Sequence, residues 1–186
     1  MVKELIRFIY VIAGNLHRAW MIPLMGYYSR HSEKYSERFR YEYNKHAIRL
    51  MNHTGRIYTQ AYGAENLPKD GGYVMFANHQ GKYDALGIML THEEPCSVVM
   101  DEARSKMPLV KQFIDMVGGK RLCLHDLRQA ARVIREVSKE VEYGRKYIIF
   151  PEAVTAIAMA IMWMRLRRAA LRVPCVRKHR SYRLRW

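Results

Sequence analysis

The stretch Tyr73-Val74-Met75-Phe76-Ala77-Asn78-His79-Gln80-Gly81-Lys82-Tyr83-Asp84 passes within twelve residues from an apolar run to a polar cluster. Tyr73–Ala77 has the length and composition of a buried strand, and the cluster opens a helical pattern, so it stands where a strand ends. A second apolar run, Tyr147 to Phe150, leads straight into Pro151-Glu152. In open α/β sheets the carboxyl ends of the strands form the rim that carries sites. A histidine and two carboxylates on one rim are the materials of acid–base chemistry.

Working outward, short apolar runs alternate with helical patterns. Strands are expected at Arg56–Tyr62, Tyr73–Ala77, Ser97–Met100, Lys120–Leu122 and Lys146–Phe150, and helices at Asp84–Leu90, Leu109–Val117 and Asp126–Tyr143. The last helix is the clearest, because Leu127, Ala130, Ala131, Ile134, Val137 and Val141 recur at helical spacing, with Asp126 as N-cap and Gly144 as stop. Strand–helix–strand alternation at this spacing predicts an α/β fold, a mostly parallel sheet with covering helices. Turn signals, Asn66-Leu67-Pro68 and Lys69-Asp70-Gly71-Gly72, bracket the first two strand candidates. Residues 31–55 read as a polar amphipathic helix. The expected division is therefore an N-terminal segment 1–55, a sheet domain 56–152 and a distinct tail 153–186.

The net charge of +15 is unevenly spread. Residues 153–186 hold 9 of the 32 lysines and arginines and none of the 17 acidic residues, which leaves +6 for the first 152. That mild excess suits an anionic membrane surface and makes no case for nucleic acid. Cys96, Cys123 and Cys175 lack metal-ligand spacing and read as reduced thiols, so no metal is expected. Near the start, Leu5–Ala13 and Trp20–Met25 are apolar, and neither approaches the roughly 20 residues of a spanning helix. Lys3 and Arg7, flanking a short apolar region, leave a signal peptide open, although no small-x-small cleavage site stands out. Phe8, Tyr10, Arg18, Trp20, Tyr27, Tyr28 and Arg30 interleave aromatic with basic character, as helices lying in a membrane interface do. The bland reading is a helix packed on its own domain.

His79 and Asp84 are five positions apart, a spacing that would make them face different ways within one helix. With His79 in the turn and Asp84 just inside the helix, the two can meet. Asp84 then fixes the imidazole tautomer, and the other ring nitrogen is free to take a proton from a hydroxyl. The alternative is that the pair caps the helix.

The string Asn78-His79-x-x-x-x-Asp84, followed downstream by Phe150-Pro151-Glu152, resembles the glycerolipid acyltransferases, and within them the bacterial 1-acyl-glycerol-3-phosphate acyltransferases. Gly63-Ala64-Glu65-Asn66-Leu67-Pro68, Lys106-Met107-Pro108-Leu109-Val110 and Tyr147–Glu152 support the likeness, which covers about residues 56–152. The resemblance implies that His79 is the general base for the free hydroxyl of a lysophosphatidic acid and that Asp84 orients it. It implies as donor a thioester of acyl carrier protein or coenzyme A, with no cofactor, metal or acyl-enzyme. The acceptor's phosphate falls to Lys120 and Arg121, since Cys123-Leu124 stands where the family often has Asp-Arg; the alternative is two solvated charges. Asn78, Pro151 and Glu152 would help hold the acceptor, and Lys82 would meet phosphate or water. Membrane association at the cytoplasmic face follows from the same likeness. The rival reading is a non-catalytic basic protein on anionic lipid or nucleic acid.

After Glu152 the family pattern stops, where a glycine and a further strand are expected. Ala153–Met164 is a 12-residue apolar stretch followed by an arginine-rich run. One reading is a genuine basic amphipathic C-terminus; the favoured one is a reading-frame shift. Restoring one G after the Glu152 codon makes the Ala153 codon one for glycine and regenerates Phe-Pro-Glu-Gly. Codons for Lys178–Trp186, reread in that frame, permit a β-strand text. A sheet without its last strand exposes an edge and an apolar face. The chain as written is therefore expected to be poorly stable and weakly active or inactive.

Overall fold

The computed structural model of the chain describes residues 9–78, 83–123 and 125–150. Pro151, Glu152 and the frame break expected after them lie outside the described residues, as do His79 and Lys82. Helix α1 spans Met21–Arg30 and α2 Glu37–Gly55, and both precede the sheet. The rest alternates as β1 Tyr73–Phe76, α3 Asp84–Thr91, β2 Cys96–Asp101, α4 Glu102–Ser105, α5 Val110–Met116, β3 Lys120–Leu122, α6 Leu127–Glu142 and β4 Lys146–Ile149. The four strands form one sheet in the order β1-β4-β2-β3, every pair parallel. The α/β fold with a parallel sheet and covering helices is thus present.

One expected strand is not. Arg56, in the left-handed region at φ 48°, ends α2, and residues 57–63 form no strand. Tyr58 and Tyr62 are exposed there, so the segment lacks the buried face that would hold it against a neighbour.

Strand periodicity divides the core in two. Tyr73, Met75, Cys96, Val98, Ile148 and Phe150 point to one face, where they meet Met21, Met25, Tyr41, Ile48, Met89, Phe113, Ile114 and Met116 from α1, α2, α3 and α5. Val74, Val99, Leu122, Tyr147 and Ile149 point to the other, against Ala130, Val133, Ile134, Val137 and Val141 of α6. Burial on both faces is what a parallel sheet requires, and it explains why the strand texts are apolar runs rather than alternations. The helix expected to carry residues 31–55 is α2. Its Tyr41 and Ile48 are completely buried, so it belongs to the core of the sheet domain.

Helix α6 begins and ends as its sequence demands. The Asp126 carboxylate accepts from the backbone N–H groups of Arg128 and Gln129. Gly144 takes the left-handed φ of 94° that a side chain would resist. Opposite that turn, a Cβ on Gly72 would lie 2.1 Å from the Val141 carbonyl oxygen, so only glycine lets β1 start there.

A polar cluster seals the amino-terminal end of the sheet. His92 donates from Nδ1 to the Glu94 carbonyl at 2.5 Å and accepts at Nε2 from the Tyr73 hydroxyl at 2.6 Å. Lys45 Nζ donates to the His92 carbonyl at 3.1 Å, and the Tyr41 hydroxyl donates to the Met89 carbonyl at 2.9 Å. Burial drives the His92 imidazole below its usual value; the Glu94 carbonyl opposes the fall and the charge of Lys146 adds to it. Burial also pushes the Cys96 thiol up to about 12. Both side chains are neutral in the fold.

An imidazole held neutral in the fold binds fewer protons than in the unfolded chain, so its contribution is complete above about pH 6.5 and declines as pH falls below that value. The urea midpoint is expected to drop between about pH 7.5 and pH 5.5, and His92→Gln should flatten that slope. An unchanged slope in the variant would assign the titration to another group.

Candidate active site

The register decides which strand ends are neighbours. Phe76 lies beside Ile149, and the Ala77 N–H donates to the Ile149 carbonyl at 3.1 Å. The two segments singled out by sequence therefore leave the sheet from adjacent strands. β1 leads through Asn78 toward His79, and β4 leads through Phe150 toward Pro151-Glu152.

Asp84 opens α3 and is buried, with 5% of its surface exposed. A carboxylate at a helix start is favoured by the unpaired N–H groups and the dipole of that end. The residue before it is the one the sequence did not flag. The Tyr83 hydroxyl accepts from Asn52 Nδ2 at 2.5 Å and shares a hydrogen bond with Thr59 Oγ1 at 2.7 Å. Asn52 lies in the last turn of α2 and Thr59 in the connector beyond it. These bonds fix the first turn of α3, and with it the position of Asp84. No sequence spacing announces them, because the partners are 31 and 24 residues away.

Lys120 and Arg121 are not brought together. Neighbours in a strand face opposite ways, and β3 obeys. Lys120 turns to α6, where Nζ lies 2.6 Å from Glu140 Oε1 and 3.5 Å from Glu136 Oε2. Arg121 turns to the α3 and α5 face, where Nη2 meets Asp115 Oδ1 at 2.5 Å and Nε donates to Ser105 Oγ at 3.1 Å. β3 is also three strand spacings from β1, roughly 14 Å. Arg121 thus shares a face with Asp84, whereas Lys120 sits across the sheet from it.

Glu140 is the centre of a second network. Besides Lys120 it takes hydrogen bonds from Arg145 Nη1 at 2.5 Å and from the Tyr147 hydroxyl. Burial alone would raise its carboxyl, but the bonds from Lys120, Tyr147 and Arg145 outweigh this and hold it below the usual range. Arg145 continues the network to Glu37 Oε1 at 3.1 Å and the Val117 carbonyl at 3.0 Å. Among the described residues no group of three or more His, Cys, Asp and Glu side chains is placed to hold a metal ion.

The family described as Acyltransferase matches residues 59–175, a span that includes both strand-end segments. The fold is similar to the crystal structure of the 1-acyl-sn-glycerophosphate (LPA) acyltransferase PlsC from Thermotoga maritima, with a TM-score of 0.59 and 21% sequence identity. That likeness covers 83% of this chain and 63% of that one, so the chain spans less than two thirds of that enzyme's length. A search of curated proteins finds no match.

If the Asn52–Tyr83 bond carries the load argued above, Tyr83→Phe and Asn52→Ala should each cost about 1–2 kcal/mol in urea unfolding. The double variant should lose little more than either single one, since both remove the same bond. Strictly additive losses would show that the bond contributes nothing.

Proposed function

The chain belongs to the acyltransferase family, and we propose that it moves a fatty acyl group from a thioester to the free hydroxyl of a 1-acyl-glycerol 3-phosphate. The observation that carries this reading is the family match spanning two adjacent strand ends, one leading to His79 and the other to Glu152. In the proposed reaction His79 removes the hydroxyl proton while Asp84 holds the opposite ring nitrogen. The alkoxide oxygen bonds to the thioester carbonyl carbon, the carbon–sulfur bond breaks, and the leaving thiolate takes the proton from the imidazolium. The donor is acyl carrier protein or acyl-coenzyme A, and the step needs no cofactor.

For the acceptor's phosphate, Arg121 is the stronger of the two expected cations because it shares the face of Asp84. Its carboxylate partner Asp115 would have to share it. Lys120, paired with two glutamates on the other face, better suits a role in holding α6 to the sheet. Asn78, Pro151 and Glu152 complete the proposed acceptor site.

Membrane association at the cytoplasmic face belongs to the same proposal. Among the described residues no helix is long and apolar enough to cross a membrane. Ile9, Tyr10, Ile12, Leu16, Trp20 and Tyr27 are nevertheless exposed, close in sequence to Arg18 and Arg30. Apolar and aromatic groups left in water beside cations favour the level of lipid headgroups. The sequence following Glu152 is proposed to be out of frame.

In the chain with one base restored after the Glu152 codon, His79→Ala and Asp84→Asn are expected to lower acyl transfer at least about 100-fold. Sedimentation with anionic vesicles should be unchanged in both. Unaltered transfer in either variant would overturn the mechanism and favour the non-catalytic basic binder. A chain made from DNA with one base restored after the Glu152 codon should be more stable and more active than the chain as written. Equal behaviour of the two would mark the present C-terminus as genuine.

A further inference from the structure

The outward side of α6 presents Arg128, Arg132, Arg135 and Lys139, all exposed. Their spacing of four, three and four residues aligns them in one stripe along the helix. Eleven residues of helix make that stripe roughly 17 Å long. None of the four forms an ion pair with a described residue; among the described residues their one side-chain hydrogen bond runs from Arg135 Nε to the Ala131 carbonyl. The helix does have carboxylates, but Glu140 is turned inward to Lys120 and Arg145, and Glu136, itself exposed, lies 3.5 Å from Lys120. Exposed Glu136, beside Arg132 and Lys139, and Glu142, at the carboxyl-terminal end, flank the stripe and leave it with an excess of positive charge.

Helix stability does not explain this arrangement. Beyond the Asp126 cap, the first turn of α6 contains no acidic residue and places Arg128 near the positive end of the dipole, where a cation is disfavoured. Local rules broken without local gain point to a role outside the helix. The stripe also starts at the rim. α6 begins just beyond the carboxyl end of β3, on the side of the sheet where β1 and β4 end in the two motif segments.

Position selects among anionic occupants. Among the described residues, half of the exposed large apolar and aromatic ones, Ile9, Tyr10, Ile12, Leu16, Trp20 and Tyr27, lie before or on α1, which packs in the core on the opposite face of the sheet from α6; on α6 only Leu127 and Tyr143, at its two ends, are exposed. A surface that lies on lipid through that segment turns α6 away from it. A stripe about 17 Å long also exceeds what the phosphates of one coenzyme need. We propose that the outward face of α6 is the docking surface for an acidic carrier protein that delivers the acyl thioester. The inference rests on the acyltransferase reading and specifies which protein surface receives the donor.

The test uses the full chain and an acylated acyl carrier protein. Binding measured by fluorescence anisotropy should weaken at least tenfold in Arg132→Glu/Arg135→Glu and should decline steeply with salt. Neutral Arg132→Gln/Arg135→Gln should give an intermediate loss, and both pairs are surface positions whose thermal unfolding should match the parent. The arginines beyond position 164 are common to all these proteins and cancel in the comparison. Transfer from acyl-coenzyme A should survive the charge reversal. Equal carrier binding by parent and variant would overturn the proposal. So would a loss confined to anionic vesicles, which would make α6 a lipid-facing surface, or an equal loss with coenzyme A, which would make it a nucleotide site. If neither donor is used even by the chain with one base restored after the Glu152 codon, while carrier binding still depends on the stripe, the chemistry assigned to His79 fails and the docking surface stands.

Discussion

The pairing of β4 with two neighbours at once is the constraint on which the rest depends. Lys146–Ile149 is matched residue for residue with Tyr73–Phe76 on one side and with Cys96–Val99 on the other. Tyr147, Ile148 and Ile149 are wholly buried between the two helical layers. A one-residue slip would send each of these side chains to the wrong face. The register is therefore fixed by the core, and it alone sets the motif segments side by side at the rim. Chemistry at the rim is thus inherited from packing several residues below it.

Much of this was legible because the signals were local. The apolar runs, the helical spacing of Ala130, Ile134, Val137 and Val141, and the Asp126 cap are periodicities and cap chemistries that act within a few residues. The order β1-β4-β2-β3 was not legible, since it joins segments about 70 residues apart and no spacing encodes a partner. Arg56–Tyr62 misled for the converse reason. Its composition is that of a strand, but strand formation is settled by a neighbour and a buried face, and Tyr58 and Tyr62 have neither. Lys120 and Arg121 could have been separated earlier, because two consecutive residues of one strand cannot serve one face.

The two layers differ in chemistry as well as position. The layer of α1, α2, α3 and α5 buries a large mixed core and leaves aromatic groups exposed toward its amino-terminal end. The α6 layer buries small aliphatic groups, and the carboxylates on its inner flank neutralise Lys120 and Arg145 where these cations are half-buried. Partly buried cations need such partners, and pairing them from the helix leaves the outward arginines uncompensated. Neutrality at the sheet and positive charge in solvent are two results of one distribution of charge on a single helix.

Helix α3 shows how that frame reaches Asp84. It is held at both ends by α2. At its carboxyl end, Tyr41 and Lys45 take the Met89 and His92 carbonyls, and His92 is fixed in turn by Tyr73. At its amino end Asn52 takes the Tyr83 hydroxyl. A helix of eight residues has little stability of its own, so its orientation is imposed by these contacts. α2 is in turn bound to α5 through Asn44 and the Phe113 carbonyl and to the end of that helix through Arg40 and the Met116 carbonyl. Helix α1, whose Met21 and Met25 share this core, and the first turn of α3 that holds Asp84 are therefore parts of one packed layer. In the proposed reaction, a displacement of α2 at a lipid surface would carry α3 with it. The carboxylate would then keep its place relative to whatever the amino-terminal helices rest upon.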